Sequence, residues 1–151
     1  MPRFGSPHAF AKLVDRWAFP IKALFWGASV VTIGVAVWLM TVIAWILPSH
    51  DPAHIPLWTG VTVGYLVFSG LSITYLRLGP RRAALRVLVL ALSICALGAA
   101  ALGAYEMFRA SRRGGDFEGY LLLMSLLLAG HGLVAIAYTW ITASIARKVA
   151  G

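Results

Sequence analysis

The fold is decided by residues 23–47, which read ALFWGASVVTIGVAVWLMTVIAWIL. The stretch contains no Asp, Glu, Lys or Arg. At 1.5 Å per residue it would form an α-helix about 37 Å long, whereas the hydrocarbon core of a bilayer is about 30 Å thick. The stretch therefore predicts a first membrane-spanning helix.

Three more stretches of this kind follow, at residues 56–76, 87–105 and 119–146, and they too lack Asp, Glu, Lys and Arg. The segments between them carry prolines, glycines and charges, which lipid-exposed backbone does not tolerate at membrane depth. The sequence thus predicts an all-α integral membrane protein. Its transmembrane domain, residues 21–147, would be a four-helix bundle with spans at about 21–47, 56–77, 83–109 and 118–146.

The composition agrees with a lipid environment. Of 151 residues, 60% are hydrophobic, and the mean hydropathy of +0.84 exceeds what soluble domains normally carry. The net charge of +8 could indicate nucleic acid, but no basic face interleaved with stacking aromatics is visible, so we expect no nucleic-acid partner. The single cysteine, Cys95, excludes an internal disulfide and a CxxC redox pair.

The first twenty residues predict a short amphipathic helix on the cytoplasmic membrane surface. Ser6 can cap and Pro7 can open a helix over residues 7–19. Its apolar and charged side chains would lie on opposite faces: Phe10, Leu13, Val14 and Trp17 on one, and Lys12, Asp15 and Arg16 on the other. We expect Lys12, Arg16 and Trp17 to contact the membrane surface. The alternative is an ordinary juxtamembrane arm.

The orientation follows from the Lys and Arg residues, because loops rich in them stay cytoplasmic. Ten of the 13 would lie on one side: Arg3, Lys12, Arg16, Lys22, Arg77, Arg81, Arg82, Arg86, Arg147 and Lys148. The other three, Arg109, Arg112 and Arg113, would lie opposite. Trp and Tyr residues near both ends of the spans fit the same topology. We therefore expect a multi-pass protein of the cell (inner) membrane with both termini cytoplasmic.

Small residues mark two candidate packing surfaces. On the third span Ala91, Cys95, Ala99 and Gly103 recur every four residues and share one helical face, which we call the α4 small-residue stripe. Gly60 and Gly64 form a GxxxG motif on the second span. Such residues let helix backbones approach closely in lipid. We predict that both surfaces pack inside the chain's own bundle, and a dimer interface is the alternative.

His131 lies near the middle of the fourth span, between Gly130 and Gly132. An ionisable side chain at that depth is costly and suggests function. One interpretation is an interhelical hydrogen bond to a polar residue of similar depth: Thr32, Ser69, Ser72, Ser93 or Cys95. A second is a cofactor-binding residue that contacts haem or a chlorophyll-type pigment, with Met40, Met107 or Met124 as a possible second ligand. A third is proton or substrate handling.

Two features lie at the outer ends of the spans. His50, Asp51 and His54 could ligate a metal ion, but nearby prolines deny the segment a regular helical register, so a solvated turn is preferred. Glu106 and Arg109 predict an interfacial ion pair, with a carboxylate gate for a proton or cation as the alternative.

The spans show no paired carboxylates and no set of residues for nucleophilic catalysis. We therefore expect a small non-enzymatic membrane protein, an accessory or assembly subunit of a larger membrane complex. Its partners would be membrane lipids and other integral membrane subunits, and its cofactors are unknown. The alternatives are a cofactor-binding membrane subunit that uses His131 and a small proton- or substrate-coupled transporter.

Overall fold

The computed structural model describes residues 7–50, 52–78, 82–112 and 119–150. Within these ranges the chain is helical and contains no strand. The elements are α1 (Pro7–Trp45), α2 (Leu47–His50), a 3₁₀ turn (Pro52–His54), α3 (Ile55–Leu78), α4 (Ala83–Arg112) and α5 (Gly119–Ala150).

Four of these helices are long and apolar enough to cross a membrane. The candidate spans are Ala18–Ser49, Pro52–Leu78, Ala83–Arg109 and Leu123–Lys148. They coincide with the four predicted stretches to within a few residues. The prediction of an all-helical chain with four such helices is therefore confirmed for the described residues.

The N-terminal segment differs from the prediction. Residues 7–19 are helical, but they are the first part of α1, which continues without a break to Trp45 with Pro20 inside it. Proline lacks an N–H, so the carbonyl of Arg16 loses its usual partner, yet the helix does not end there. The predicted separate interfacial helix with a boundary at residue 20 is thus not a separate element.

The four long helices form a closed ring in chain order. α1 packs mainly against α3 and α5, and α4 packs mainly against α5 and α3. α1 and α5 run antiparallel, since Phe25 contacts Tyr138 while Thr32, farther along α1, reaches back to His131. The start of α1 and the end of α5 therefore lie at the same end of the bundle.

The outside of the bundle is apolar and much of the inside is polar. Large aliphatic side chains such as Ile94 and Leu102 are 64% and 67% exposed. The buried polar side chains are Ser29, Thr32, Thr62, Ser69, Ser72, Ser93, His131, Thr139 and Thr142. An exterior of this kind would drive aggregation in water, whereas lipid solvates it. The tertiary arrangement thus agrees with a membrane environment.

Two groups of buried apolar residues fill the interior. The larger one contains Ala18, Phe25, Phe68, Tyr75, Leu76, Val89, Ala96, Ala135 and Tyr138. The smaller one, toward the end of α1, contains Ala36, Leu39, Tyr65 and Met124. His131 lies between these two groups along α5. We take it as the centre of the candidate site, because it is a buried polar residue between two apolar groups.

Candidate functional site

His131 is 1% exposed and joins α5 to α1 through both ring nitrogens. The Thr32 Oγ1 atom lies 2.9 Å from Nδ1, and the Ser29 Oγ atom lies 3.3 Å from Nε2. Ser29 and Thr32 are three residues apart and so share one face of α1. The predicted interhelical hydrogen bond is therefore present in the structure, with Thr32 as one of its partners.

The hydroxyl hydrogens determine what the histidine ring can donate and accept. Thr32 Oγ1 donates to the carbonyl of Ala28 over 2.7 Å, and Ser29 Oγ donates to the carbonyl of Phe25 over 2.8 Å. A hydroxyl has one hydrogen, so each can only accept from the ring while it keeps its backbone bond. A neutral imidazole has one N–H to give. An N–H on Nδ1 would donate to Thr32 Oγ1, the nearer of the two hydroxyls. Nε2 would then accept from Ser29 only if Ser29 gave up its bond to the Phe25 carbonyl.

Two phenylalanine rings enclose the imidazole. The Phe68 ring of α3 stacks on it with centroids 4.2 Å apart and planes 26° apart. The Phe25 ring of α1 meets it edge-on at 5.8 Å. We call Phe25, Ser29, Thr32, Phe68 and His131 the His131 cluster. Because its members come from α1, α3 and α5, the cluster ties three of the four helices together.

An aromatic column extends the His131 cluster toward the end of α5. Phe25 packs against Tyr138 with ring centroids 5.4 Å apart. Tyr138 meets Tyr75 of α3 edge-on at 5.8 Å, and the Tyr75 hydroxyl lies 3.3 Å from Thr142 Oγ1. The same three helices are thus joined again about two turns beyond His131.

The glycines that flank His131 have opposite surroundings. A Cβ atom on Gly132 would lie 3.1 Å from the carbonyl oxygen of Ser93, so α4 and α5 approach closely there. A Cβ atom on Gly130 would meet nothing within 4 Å. Gly132 is thus a packing residue, whereas Gly130 borders open space on the α1 side.

That open space is a groove between α1 and α5, the α1/α5 groove, with a volume of about 530 Å³. It runs from Pro20 to Thr32 along α1 and is bordered on α5 by residues from Leu126 to Val134. Thr32 and His131 are its only lining residues with polar side chains. The groove therefore connects the bundle exterior with the His131 cluster.

Ser69 and Ser72 of α3 are fully buried, and their hydroxyl oxygens have no hydrogen-bond partner. The buried hydroxyls of Ser29, Thr32 and Ser93 instead donate to backbone carbonyls of their own helices. The two α3 serines thus contribute small size to the interior and no hydrogen bond.

We expect Ser72→Ala not to lower the free energy of unfolding, because it removes a buried hydroxyl that has no hydrogen-bond partner and so leaves no other group unpaired. The matched control is Thr32→Val, which removes a paired hydroxyl without changing the side-chain shape. It should cost about 1 kcal/mol. Both are measured by equilibrium unfolding in mixed detergent and dodecyl sulfate micelles. A cost for Ser72→Ala equal to that of Thr32→Val would mean that the Ser72 hydroxyl has a partner.

The predicted packing surfaces lie elsewhere than expected. Ala91, Cys95 and Ala99 are exposed. A Cβ atom on Gly60 or Gly64 would meet nothing within 4 Å. The expected packing of these residues inside the chain's own bundle is therefore not observed.

The inward face of α4 consists of other small residues instead, namely Val89, Ser93, Ala96 and Ala100. Small residues occupy both faces of this helix, so spacing alone does not say which face is buried. Within the α4 small-residue stripe, Gly103 lies close to α5, since a Cβ atom there would lie 2.6 Å from Ser125 Oγ.

Of the residues predicted at the membrane surface, Lys12 and Arg16 are exposed on α1. The side chain of Trp17 lies outside the described part of the chain. Contact of these residues with a membrane surface stays a prediction. At the opposite end of the bundle, Arg109 Nη1 lies 3.6 Å from Glu106 Oε1, and both side chains are largely exposed. The predicted ion pair is therefore confirmed, although such an exposed pair adds little stability.

The metal hypothesis for the first loop involves Asp51 and the side chain of His50, and both lie outside the described part of the chain. His54 lies in the 3₁₀ turn and is exposed. Over residues 7–50, 52–78, 82–112 and 119–150, no three His, Cys, Asp or Glu side chains lie close enough to hold a metal ion.

The cofactor hypothesis for His131 would require a nitrogen lone pair directed at a metal. In the structure Nδ1 and Nε2 each face a hydroxyl, and Phe68 covers a face of the ring. Met124 lies two turns from His131 on the same helix, about 10 Å along the axis, which is too far for a shared axial site. A cofactor at His131 stays a prediction, and it requires the ring to leave its present partners.

The sequence identified part of the His131 cluster. Thr32 was among the expected partners, whereas Ser29, Phe25 and Phe68 were not. Of the other expected partners, Cys95 is exposed, and Ser93 bonds to its own helix. The spacing of Ser29 and Thr32 on one face of α1 is the signal that could have identified Ser29.

Comparisons with protein-family models, with curated proteins and with solved structures gave no match.

Proposed function

We propose that this chain is an accessory or assembly subunit of a larger membrane complex, which it contacts through the exposed part of the α4 small-residue stripe, Ala91, Cys95 and Ala99. The supporting observation is the exposure of Ala91, Cys95 and Ala99 on a helix that packs through its other face. The three residues extend over about 12 Å of α4. The proposed partners are other integral membrane subunits, with lipid around the rest of the bundle.

The physical basis is helix packing in lipid. Since hydrocarbon solvates apolar side chains well, association depends on close van der Waals contact, which small residues permit. Exposed Leu88 lies three residues before Ala91, and exposed Leu102 lies three residues after Ala99, on the same face of α4. The small side chains between these two leucines let a helix of another subunit approach α4 closely.

The His131 cluster has a supporting role in this proposal. It ties α1, α3 and α5 together through hydrogen bonds and ring contacts. α4 is held against α5 by the close approach at Gly132. A bundle joined in this way presents the outer face of α4 in one fixed geometry, and this lowers the cost of ordering on binding.

We expect Ala99→Phe to remove co-purifying membrane subunits when the full chain is extracted from its native membrane in gentle detergent. A phenylalanine at this position prevents close approach of a second backbone to α4. The matched control is Ala101→Phe, since Ala101 is also exposed on α4 but about 160° farther round the helix. The readout is mass spectrometry of the polypeptides that remain with the protein.

A second measurement uses Cys95, the single cysteine of the chain. A photoreactive maleimide on Cys95 should form a cross-link to the same subunit in native membranes. The double variant C95S/A101C, labelled in the same way, should form much less. Equal loss of partners in the two phenylalanine variants, or recovery of the wild-type chain alone, would contradict the proposal.

A further inference from the structure

The α1/α5 groove has the shape of a site for a hydrocarbon chain. It is open along its outer side, and its walls are apolar except at Thr32 and His131. Gly27 on α1 and Gly130 on α5 have no side chains to fill it, and a Cβ atom on either would meet nothing within 4 Å. The groove therefore cuts into the bundle without being closed.

The α1 wall of the groove is about as long as one leaflet of a bilayer is thick. From Pro20 to Thr32 it follows α1 for about 18 Å, and half of a bilayer's hydrocarbon core is about 15 Å. Pro20 lies near the start of the candidate span Ala18–Ser49. The groove thus begins near the membrane boundary, and its α1 wall reaches the level of His131 near the midplane. On α5 the groove continues about 7 Å beyond His131, to Leu126.

Positive charge lies at the boundary end of the groove. Arg16 comes one turn before Pro20 on the groove side of α1, and Lys12 lies one turn before Arg16, partly turned away from the groove. Both are exposed. Lys148 lies about four turns beyond Val134 on the groove side of α5 and is exposed as well. Since α1 and α5 are antiparallel, all three cations lie at the same end of the bundle. Their chemistry suits a phosphate group.

We propose that the α1/α5 groove binds one anionic phospholipid. One acyl chain lies along the groove toward His131, and the phosphate is held by Lys12, Arg16 and Lys148. The proposal rests on the four long helices lying in a bilayer and does not depend on the proposed subunit role. Lipid charge gives specificity, because a zwitterionic headgroup gains less from the same three cations.

The test is native mass spectrometry of the delipidated full chain in detergent, titrated with phosphatidylglycerol or phosphatidylcholine of identical acyl chains. We expect one phosphatidylglycerol to bind at least about tenfold more tightly than phosphatidylcholine. The double variant R16Q/K148Q should lose most of this preference and keep the weaker binding shared by both lipids. The variant G27L/G130L fills the groove and should lose the binding of both lipids.

Two controls separate this site from general lipid adhesion. Gly60→Leu adds the same side chain at an exposed, open position on α3, and Arg77→Gln removes an exposed cation at the end of that helix. Both should bind phosphatidylglycerol like the wild type. Equal affinities for the two lipids in the wild type, or equal losses in the control variants, would overturn the proposal. A wild-type dimer that G27L/G130L converts to a monomer would also overturn it, because a second copy would then occupy the groove.

Discussion

His131→Ala is expected to lower the free energy of unfolding by about 2–4 kcal/mol. The substitution removes the ring that stacks on Phe68 and meets Phe25 edge-on, and it leaves a cavity among three helices. It also removes the hydrogen bond to Thr32. The measurement is equilibrium unfolding in mixed micelles of a mild detergent and dodecyl sulfate.

Leu133→Ala serves as the matched control, since Leu133 is exposed on the same helix two residues away. It should change stability by less than about 0.5 kcal/mol. A double-mutant cycle of His131→Leu with Thr32→Val separates the hydrogen bond from the packing, and we expect a coupling of about 1 kcal/mol. If His131→Ala were as mild as Leu133→Ala, the His131 cluster would not be the link between α1, α3 and α5.

Gly132→Leu is expected to be comparably damaging, with a loss of about 2–3 kcal/mol. A Cβ atom there would lie 3.1 Å from the carbonyl oxygen of Ser93 and 3.4 Å from Leu97 Cγ. The carbonyl belongs to the α4 backbone, so it can give way only if the two helices separate. The closest helix contact around His131 would then be lost.

The control is Gly130→Leu on the same helix, where the new side chain enters open space. Both substitutions raise helix propensity equally, so their difference reports packing alone. Gly103→Leu should fall between them, because the atom it meets, Ser125 Oγ, can rotate away. If the Gly132→Leu and Gly130→Leu variants were equally stable, α4 and α5 would not approach closely at Gly132.

The depth of a residue within its predicted span identified only some members of the His131 cluster. His131 stands out in the sequence because it is a polar side chain near the centre of a long apolar span. Thr32 stands out because it lies at a similar depth. Depth does not distinguish Thr32 from the other hydroxyls at that level, and it gives no signal for Phe68. Which polar residue meets which depends on helix rotation, and rotation is a tertiary property.

For α4, the sequence likewise does not identify which face of the helix packs against its neighbours. In a soluble protein the hydrophobic face of a helix is buried, so the sequence period identifies it. Both faces of α4 are apolar, as expected for a helix in lipid, and small residues lie on both faces. The hydrophobic pattern therefore does not identify the buried face. The face with Ala91 and Cys95 has the more regular spacing, but the face with Ser93 and Ala96 is the one that packs.

The sequence by itself determined the number of long helices and their approximate ends. Each apolar stretch, as a helix, is about as long as the hydrocarbon core of a bilayer is thick, about 30 Å. Such a stretch is expected to be helical, because backbone amides in lipid must be paired within a helix. It did not determine where α1 begins, since Pro20 is accommodated within the helix instead of ending it. Only the tertiary structure decided the helix rotations, the pairing of His131 with Ser29 and Thr32, and the α1/α5 groove. The reason is that lipid solvates every apolar face alike, so close contact between particular surfaces has to select the arrangement.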